Sequence, residues 1–308
     1  MTNLRSTLER YVNMRQGLGY KFQRQAQRLD DFISFMEKRK AVTITTKLAV
    51  KWATLPHDRN ASWASRLAAV RGFARHVASL NPKTEVPPPG ILPPLKRPTP
   101  YVYSDAEINE LLAAALALPP EDGLRRWTYH YFFGLLAVTG LRLSEAIGLQ
   151  RDEVDLATGV LTVQRSKFGK SRLVPLHPTA CAALRGYSER RDSLLGSRCG
   201  PHFFVGERGA RLWQSSIHRV FVHLSREIGL RRPSDRTGPR IHDFRHGFAI
   251  RTLVGWYRDG TDVEKKLPAL STYLGHTWVR DTYWYLSACP ALMQEAAKRL
   301  DRRWETKS

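Results

Sequence analysis

Eight prolines between Pro82 and Pro100, among them Pro87, Pro88, Pro89, Pro93, Pro94 and Pro98, break this chain of 308 residues into two parts. Each proline removes a backbone donor and fixes φ, so neither helix nor inner strand runs through such a stretch. The length already suggests two domains. The expected organisation is a helical domain over 1–81, a semi-rigid linker over 82–100 and a larger domain over 101–308.

Before the prolines the apolar residues keep helical spacing. Leu4, Leu8, Tyr11 and Leu18 share one face, as do Phe22, Ala26, Leu29, Ile33 and Met36. Trp63, Leu67, Val70, Phe73 or Ala74, and Val77 form a third set. Arg66, Arg71 and Arg75 point away from that last face, so a small bundle with basic faces is predicted.

After the prolines, Ser104-Asp105-Ala106-Glu107 carries a capping-box pattern and opens a helix to Leu118. Trp127 to Val138 is apolar almost all round and reads as a buried helix. Gly159–Val163 and Arg172–Leu176 flank a basic, glycine-containing turn, which signals a β-hairpin. Helical patterns resume near Ala180, Ser216, Asp243 and Val263. The fold class expected is mainly α with a small antiparallel sheet.

Charge narrows the partners. Forty-nine Lys and Arg oppose 28 Asp and Glu, a net +21, in a chain that is 42% hydrophobic. The composition supplies real cores and argues against wholesale disorder. The positive charge is spread along the chain and is mostly arginine, which suits bidentate phosphate contacts. A nucleic acid is the expected partner, with Arg66, Arg71 and Arg75 as DNA contacts in the first domain. A solvated basic bundle is the blander alternative. No apolar leader or membrane-length run is present, and Cys181, Cys199 and Cys289 fit neither a disulfide framework nor a metal knuckle. A reducing cytoplasm, at the nucleoid, is the expected compartment.

Four motifs then follow in fixed order. Thr-Gly-Leu-Arg-Leu-Ser-Glu-Ala carries Arg142 and Glu145, and the hairpin carries Arg165, Lys167, Lys170 and Arg172. His-Asp-Phe-Arg-His carries His242, Arg245 and His246, and Leu-Gly-His ends at His276, nine residues before Tyr285. Singly, each has an ordinary reading: a salt bridge, a solvated turn, a packed aromatic. Together they hold what is needed to attack a phosphodiester covalently without a metal. Guanidinium groups clamp non-bridging oxygens, an ammonium can protonate a leaving oxygen where arginine cannot, and a phenol can act as nucleophile once cations favour its anion. Glu145, three residues beyond Arg142, can orient it. His242 and Arg245 share a helix face at i, i+3. His242 and His246, at i, i+4, also have zinc-protease spacing, with an arginine inside the supposed site and an aspartate in place of glutamate.

The ordered set resembles the tyrosine recombinase (phage integrase) family over essentially all of 101–290, and more loosely before it. The resemblance implies a C-shaped two-domain clamp on DNA, with a helical core-binding (SAM-like) domain and a catalytic domain. It also assigns roles. Arg142, His242, Arg245 and His276 stabilise the phosphate, Lys167 is the general acid, Glu145 is the acidic neighbour, and Tyr285 rather than Tyr283 is the nucleophile. Arg165, Lys170 and Arg172 are taken as DNA contacts. The family hairpin usually reads Gly-Lys-Gly, whereas Lys167 lies between Ser166 and Phe168, which leaves Lys170 as the alternative acid. The implied reaction is site-specific recombination through a phosphotyrosyl intermediate, by a homotetramer on two sites, with no metal, nucleotide or other cofactor. Accessory recombinases are possible partners. Tyr-Trp-Tyr-Leu-Ser-Ala-x-Pro is reminiscent of recombinases of mobile elements, and the segment Ala291–Leu300 can form one further helix. The rivals are a type IB topoisomerase-like enzyme and a non-catalytic DNA-binding regulator.

Overall fold

The computed structural model describes residues 3–55, 60–94, 99–164, 171–288, 292–295 and 297–298. The chain divides into two compact units, 1–98 and 99–308.

The first unit is a four-helix assembly of α1 (Leu4–Gly17), α2 (Gln23–Lys38), α3 (Thr46–Ala53) and α4 (Asn60–Ala78). The Asn3 side chain caps α1 by accepting from the Arg5 and Ser6 amides, and Thr45 caps α3 at Leu48. The apolar faces read from spacing close on one core that contains Leu8, Tyr11, Leu29, Phe32, Ile33, Met36, Trp52, Leu67, Val70, Phe73 and Val77. Two details differ from expectation. Leu18 lies just past the end of α1 and is 66% exposed. Helix α3 went unanticipated, because eight residues give too few turns for a periodic stripe; it contributes Ala49, Trp52 and Ala53.

The proline stretch is not free-standing where it begins. Thr84 and Pro87 are buried, Val86 and Leu92 pack against the helical core, and the Glu85 amide donates to the Ile44 carbonyl at 2.9 Å. Arg71 donates to the carbonyls of Pro87 and Pro88 at 2.6 and 2.9 Å. Proline carbonyls keep both lone pairs and here accept from a guanidinium, so the stretch is strapped onto α4. The two compact units divide at Pro98, within the 82–100 proline stretch.

The second unit is built around α6 (Leu124–Thr139). Helix α5 (Asp105–Leu116) starts at Ser104 with both arms of its capping box formed. Then come α7 (Leu143–Gly148), β1 (Val154–Asp155), β2 (Val160–Val163), β3 (Arg172–Pro175), α8 (Pro178–Leu195), α9 (Gln214–Glu227), α10 (His242–Arg258), α11 (Val263–Leu274) and α12 (Arg280–Ala288). The strands form one antiparallel sheet in the order β1-β2-β3, with Leu161 opposite Val174 in the β2–β3 hairpin. The main core gathers Phe132, Phe133, Leu136, Tyr187, Phe204, Phe221 and Phe244. A smaller core joins Ala249, Ile250 and Leu253 of α10 to Leu267, Leu270, Leu274, Tyr285 and Leu292. Residues 292–295 are helical, as expected for that segment. No helix among the described residues is long and apolar enough to cross a membrane.

Phe133 sits at the centre of the main core with no exposed surface, its ring against Tyr129, Phe132, Phe221 and Phe244. Phe133→Ala is expected to destabilise the protein by about 3–5 kcal/mol, measured by denaturant unfolding.

Candidate active site

The site is assembled where α6, α7, β3 and α10 meet the turn between α11 and α12. Gly140 ends α6 at φ 61, and a Cβ there would lie 2.8 Å from the Phe248 ring, so only glycine turns the chain this tightly. The next two residues deliver Arg142 to the start of α7. Its Nη1 donates to Glu145 Oε1 at 2.8 Å, its backbone amide to Glu145 Oε2 at 2.9 Å, and its Nη2 to the Gly275 carbonyl at 2.6 Å.

Glu145 holds a second arginine from the opposite side. Arg172 of β3 donates Nη1 and Nη2 to the two carboxylate oxygens at 3.0 and 2.8 Å and Nε to the Tyr273 carbonyl at 2.7 Å. Burial alone would raise the Glu145 carboxyl, but the hydrogen bonds and charge of Arg172 and the donors of Arg142 hold its pKa down to about 2. Arg172 was expected to touch DNA from the hairpin. Its side chain is only 8% exposed and all three nitrogen groups are engaged within the protein, so it is a brace rather than a surface contact.

Arg245 enters from the first turn of α10. It is 2% exposed and donates to the carbonyls of Gly140 at 2.9 Å and Leu274 at 2.5 Å. Burial and the neighbouring Arg142 charge push its pKa down to about 10, still protonated at neutral pH. Arg142 and Arg245 thus fasten to consecutive carbonyls, Leu274 and Gly275. Gly275 adopts φ 67, and a Cβ there would meet Arg172 Nη1 at 2.9 Å. The glycine of Leu-Gly-His is therefore required by both its conformation and the crowding arginines. Three guanidinium groups face one carboxylate here, an excess of positive charge suited to a phosphate.

Past that turn, His276 Nδ1 lies 2.7 Å from the Thr282 hydroxyl, and the His276 ring stacks on Tyr285 with centroids 6.1 Å apart. Tyr285 is 1% exposed whereas Tyr283 is 51% exposed. The Tyr285 hydroxyl lies 3.2 Å from His246 Nδ1. His242, at the accessible start of α10, has its ring edge-on to His246 at 4.7 Å. Loss of water, then the Arg245 charge and those of Arg240 and Arg142, lower its pKa to about 4 against the opposing pull of Asp243. His242 is therefore a neutral imidazole at pH 7.

His246 is the residue that sequence reasoning undervalued. Its i, i+4 spacing from His242 was legible only as a metal pattern, and the fold turns it toward Tyr285. Among the described residues no group of three His, Cys, Asp or Glu side chains gathers to hold a metal. Arg165, Lys167 and Lys170 lie outside the described residues.

The basic face of α4 is partly redirected. Arg66 lies over the Trp52 ring at 3.8 Å and donates to Asp31 and the Trp52 carbonyl, with 15% of its side chain exposed. Arg71 straps the prolines. Both are tied into the fold, because the same long side chains that reach solvent also cover the adjoining seams. Arg75 is exposed.

Comparison with known proteins matches this arrangement. The model of the phage integrase family fits residues 103–290, a span that holds all four motifs. The chain belongs to that family. It is a site-specific tyrosine recombinase, a DNA strand-exchange enzyme. It is 48% identical to a Sinorhizobium fredii protein, y4rB, named as an integrase/recombinase, over the full length of both chains. In fold it resembles the Tn1549 transposon integrase in complex with transposon right end DNA, at TM-score 0.69 and 14% identity over 98% of this chain and 99% of that one. It also resembles a lambda integrase tetramer bound to a Holliday junction, at TM-score 0.62 and 19% identity over 91% of this chain and 77% of the other.

The Glu145 carboxylate generates a pH prediction. Its folded pKa is depressed from 4.5 to about 2, so its stabilisation is complete above pH 4.5 and is lost as pH falls toward 2. The recombinase is expected to be less stable as Glu145→Gln, by on the order of 3 kcal/mol near neutrality. Unfolding measured across pH 2–7 should show the two proteins converging at the acid end.

Proposed function

We propose that this recombinase cleaves one strand of double-stranded DNA by attack of the Tyr285 oxygen on a phosphodiester. The products are a 3′-phosphotyrosyl link and a free 5′-hydroxyl. The observation that carries this reading is the placement of Tyr285 beside His246 and His276, within the electrostatic reach of Arg245. Arg142 and Arg245 neutralise the non-bridging oxygens of the pentavalent phosphate, with His242 and His276 as further hydrogen-bonding partners. Lys167 protonates the departing 5′ oxygen, with Lys170 as the alternative donor.

Because the phosphotyrosyl ester keeps the energy of the broken bond, religation needs no ATP, and charge stabilisation by arginine removes the need for a metal. Arg75, Arg165 and Lys170 are the proposed DNA contacts among the arginines and lysines first singled out. Recombination proceeds in a homotetramer on two DNA sites through a Holliday junction. The fold shared with a tetrameric lambda integrase complex supports that assembly, and the fold shared with a transposon integrase supports a mobile-element role, with accessory recombinases as further partners. Such an enzyme works in the cytoplasm at the nucleoid.

The test uses duplexes nicked near a candidate crossover, with EDTA present, and a denaturing gel to reveal covalent protein–DNA adducts. Wild type and Tyr283→Phe are expected to form the adduct and Tyr285→Phe to form none. Loss only in Tyr283→Phe would move the nucleophile. DNA binding without adduct in any protein, over a broad set of sites, would favour a DNA-binding regulator.

A further inference from the structure

A buried phenol needs somewhere to send its proton. The unperturbed phenol pKa is about 10, so at neutral pH Tyr285 must lose a proton as it attacks. Tyr285 is 1% exposed, so bulk water is a poor first acceptor. His246, itself 4% exposed, lies within hydrogen-bond reach of its hydroxyl, with Nδ1 3.2 Å away.

We propose that His246 is the general base for the Tyr285 nucleophile. The assignment rests on Tyr285 being the nucleophile. It requires the His246 tautomer protonated at Nε2, in which Nδ1 accepts. As the Tyr285 oxygen bonds to phosphorus, its proton passes to His246 Nδ1. The bond from phosphorus to the 5′ oxygen breaks, and that oxygen takes a proton from the general acid. In religation the 5′-hydroxyl attacks, returns its proton to that acid, and the departing phenolate recovers its own proton from His246. The proton is held in the site between the two steps, so each strand exchange begins and ends with the same protonation state.

The surroundings suit this role. Among the described residues, the titratable and charged neighbours of the pair include His242 and Arg245 on α10, Arg142 at the start of α7 and His276 on the turn before α12. His242 touches the His246 ring, but loss of water around the ring and the arginine charges push it well below the usual histidine range, so it competes poorly for the proton. The Trp284 ring also packs against His246, with centroids 5.4 Å apart. Arg245 helps to stabilise the phenolate that forms.

The test is single-turnover adduct formation by His246→Asn, whose amide can still hydrogen-bond the phenol near the Nδ1 position but cannot take up its proton. General-base loss is expected to slow cleavage by about 10²–10⁴-fold with unchanged DNA affinity, and to flatten the acidic limb of the pH–rate profile. A substrate with sulfur at the 5′ bridging position separates base from acid, because a thiolate leaves without protonation. That substrate should restore Lys167→Ala and leave His246→Asn slow. If the asparagine variant fails to fold, His246→Ala with added imidazole reads the same step, and recovery of cleavage is expected. Wild-type rates and pH dependence in His246→Asn would overturn the proposal. So would a uniform slowing with the pH profile intact, which means positioning only. Faster cleavage would make the contact a latch on Tyr285 instead. Adduct formation by Tyr285→Phe would overturn the nucleophile assignment itself, an outcome distinct from any of these.

Discussion

The site depends on one buried carboxylate. Glu145 is 9% exposed and is bracketed by Arg142 and Arg172. An isolated buried charge is costly, and two guanidinium groups at this distance repel each other, so each of the three is tolerable only because the others are present. The pairing fixes more than side chains. Arg142 and Arg172 each spend a donor on the backbone of residues 273–275, which ties the end of α11 to α7 and the sheet. Arg245 adds a third tie at Leu274. The three arginines and the turn that leads to Tyr285 are thereby parts of one network. A network with every member satisfied is rigid, and rigidity here keeps positive charge aimed before any substrate arrives.

Tyr285 belongs to a different physical setting. It sits in the smaller core with residues of α10 and α11, separate from the aromatic core around α6. The arginine network lies along the seam between the two cores, and α10 bridges them, since Phe244 packs in one and Ala249, Ile250 and Leu253 in the other. His242, Arg245 and His246 lie on the first turns of that bridging helix. One helix therefore directs Arg245 to the Gly140 and Leu274 carbonyls and His246 to Tyr285 on α12. Residues three and four apart along one helix are enough to link the two jobs.

Much of this was legible in the sequence. The hairpin followed from two β-patterned runs around a basic turn, α5 from its capping box, and the first-unit helices from clean apolar spacing. What escaped was set by tertiary context. Nothing local distinguishes Arg172 as a brace from Arg172 as a hairpin-tip contact, because the deciding partner, Glu145, is 27 residues away. Arg66 and Arg71 looked like a basic face, and a one-dimensional pattern cannot show that Trp52 and the Pro87 and Pro88 carbonyls are within their reach. His246 carried a spacing signal that fits two chemistries, and only the position of α12 chooses between them. The proline run was legible as a break in helix and a semi-rigid linker; that its first part packs on α4 was not, since carbonyls without neighbouring amides still accept hydrogen bonds.

Glu145, which pairs with Arg142 and Arg172, is expected to organise the arginines for the transition state rather than for DNA binding. Equilibrium DNA affinity and single-turnover cleavage measured side by side for Glu145→Gln, under conditions where it stays folded, test that directly. The neutral amide keeps the shape but cannot balance the two guanidinium charges. Near wild-type affinity is expected, with cleavage slowed by about 10²-fold or more, the scale of losing a preorganised charge-stabilising contact. Cleavage at the wild-type rate, or a loss confined to DNA affinity, would contradict it.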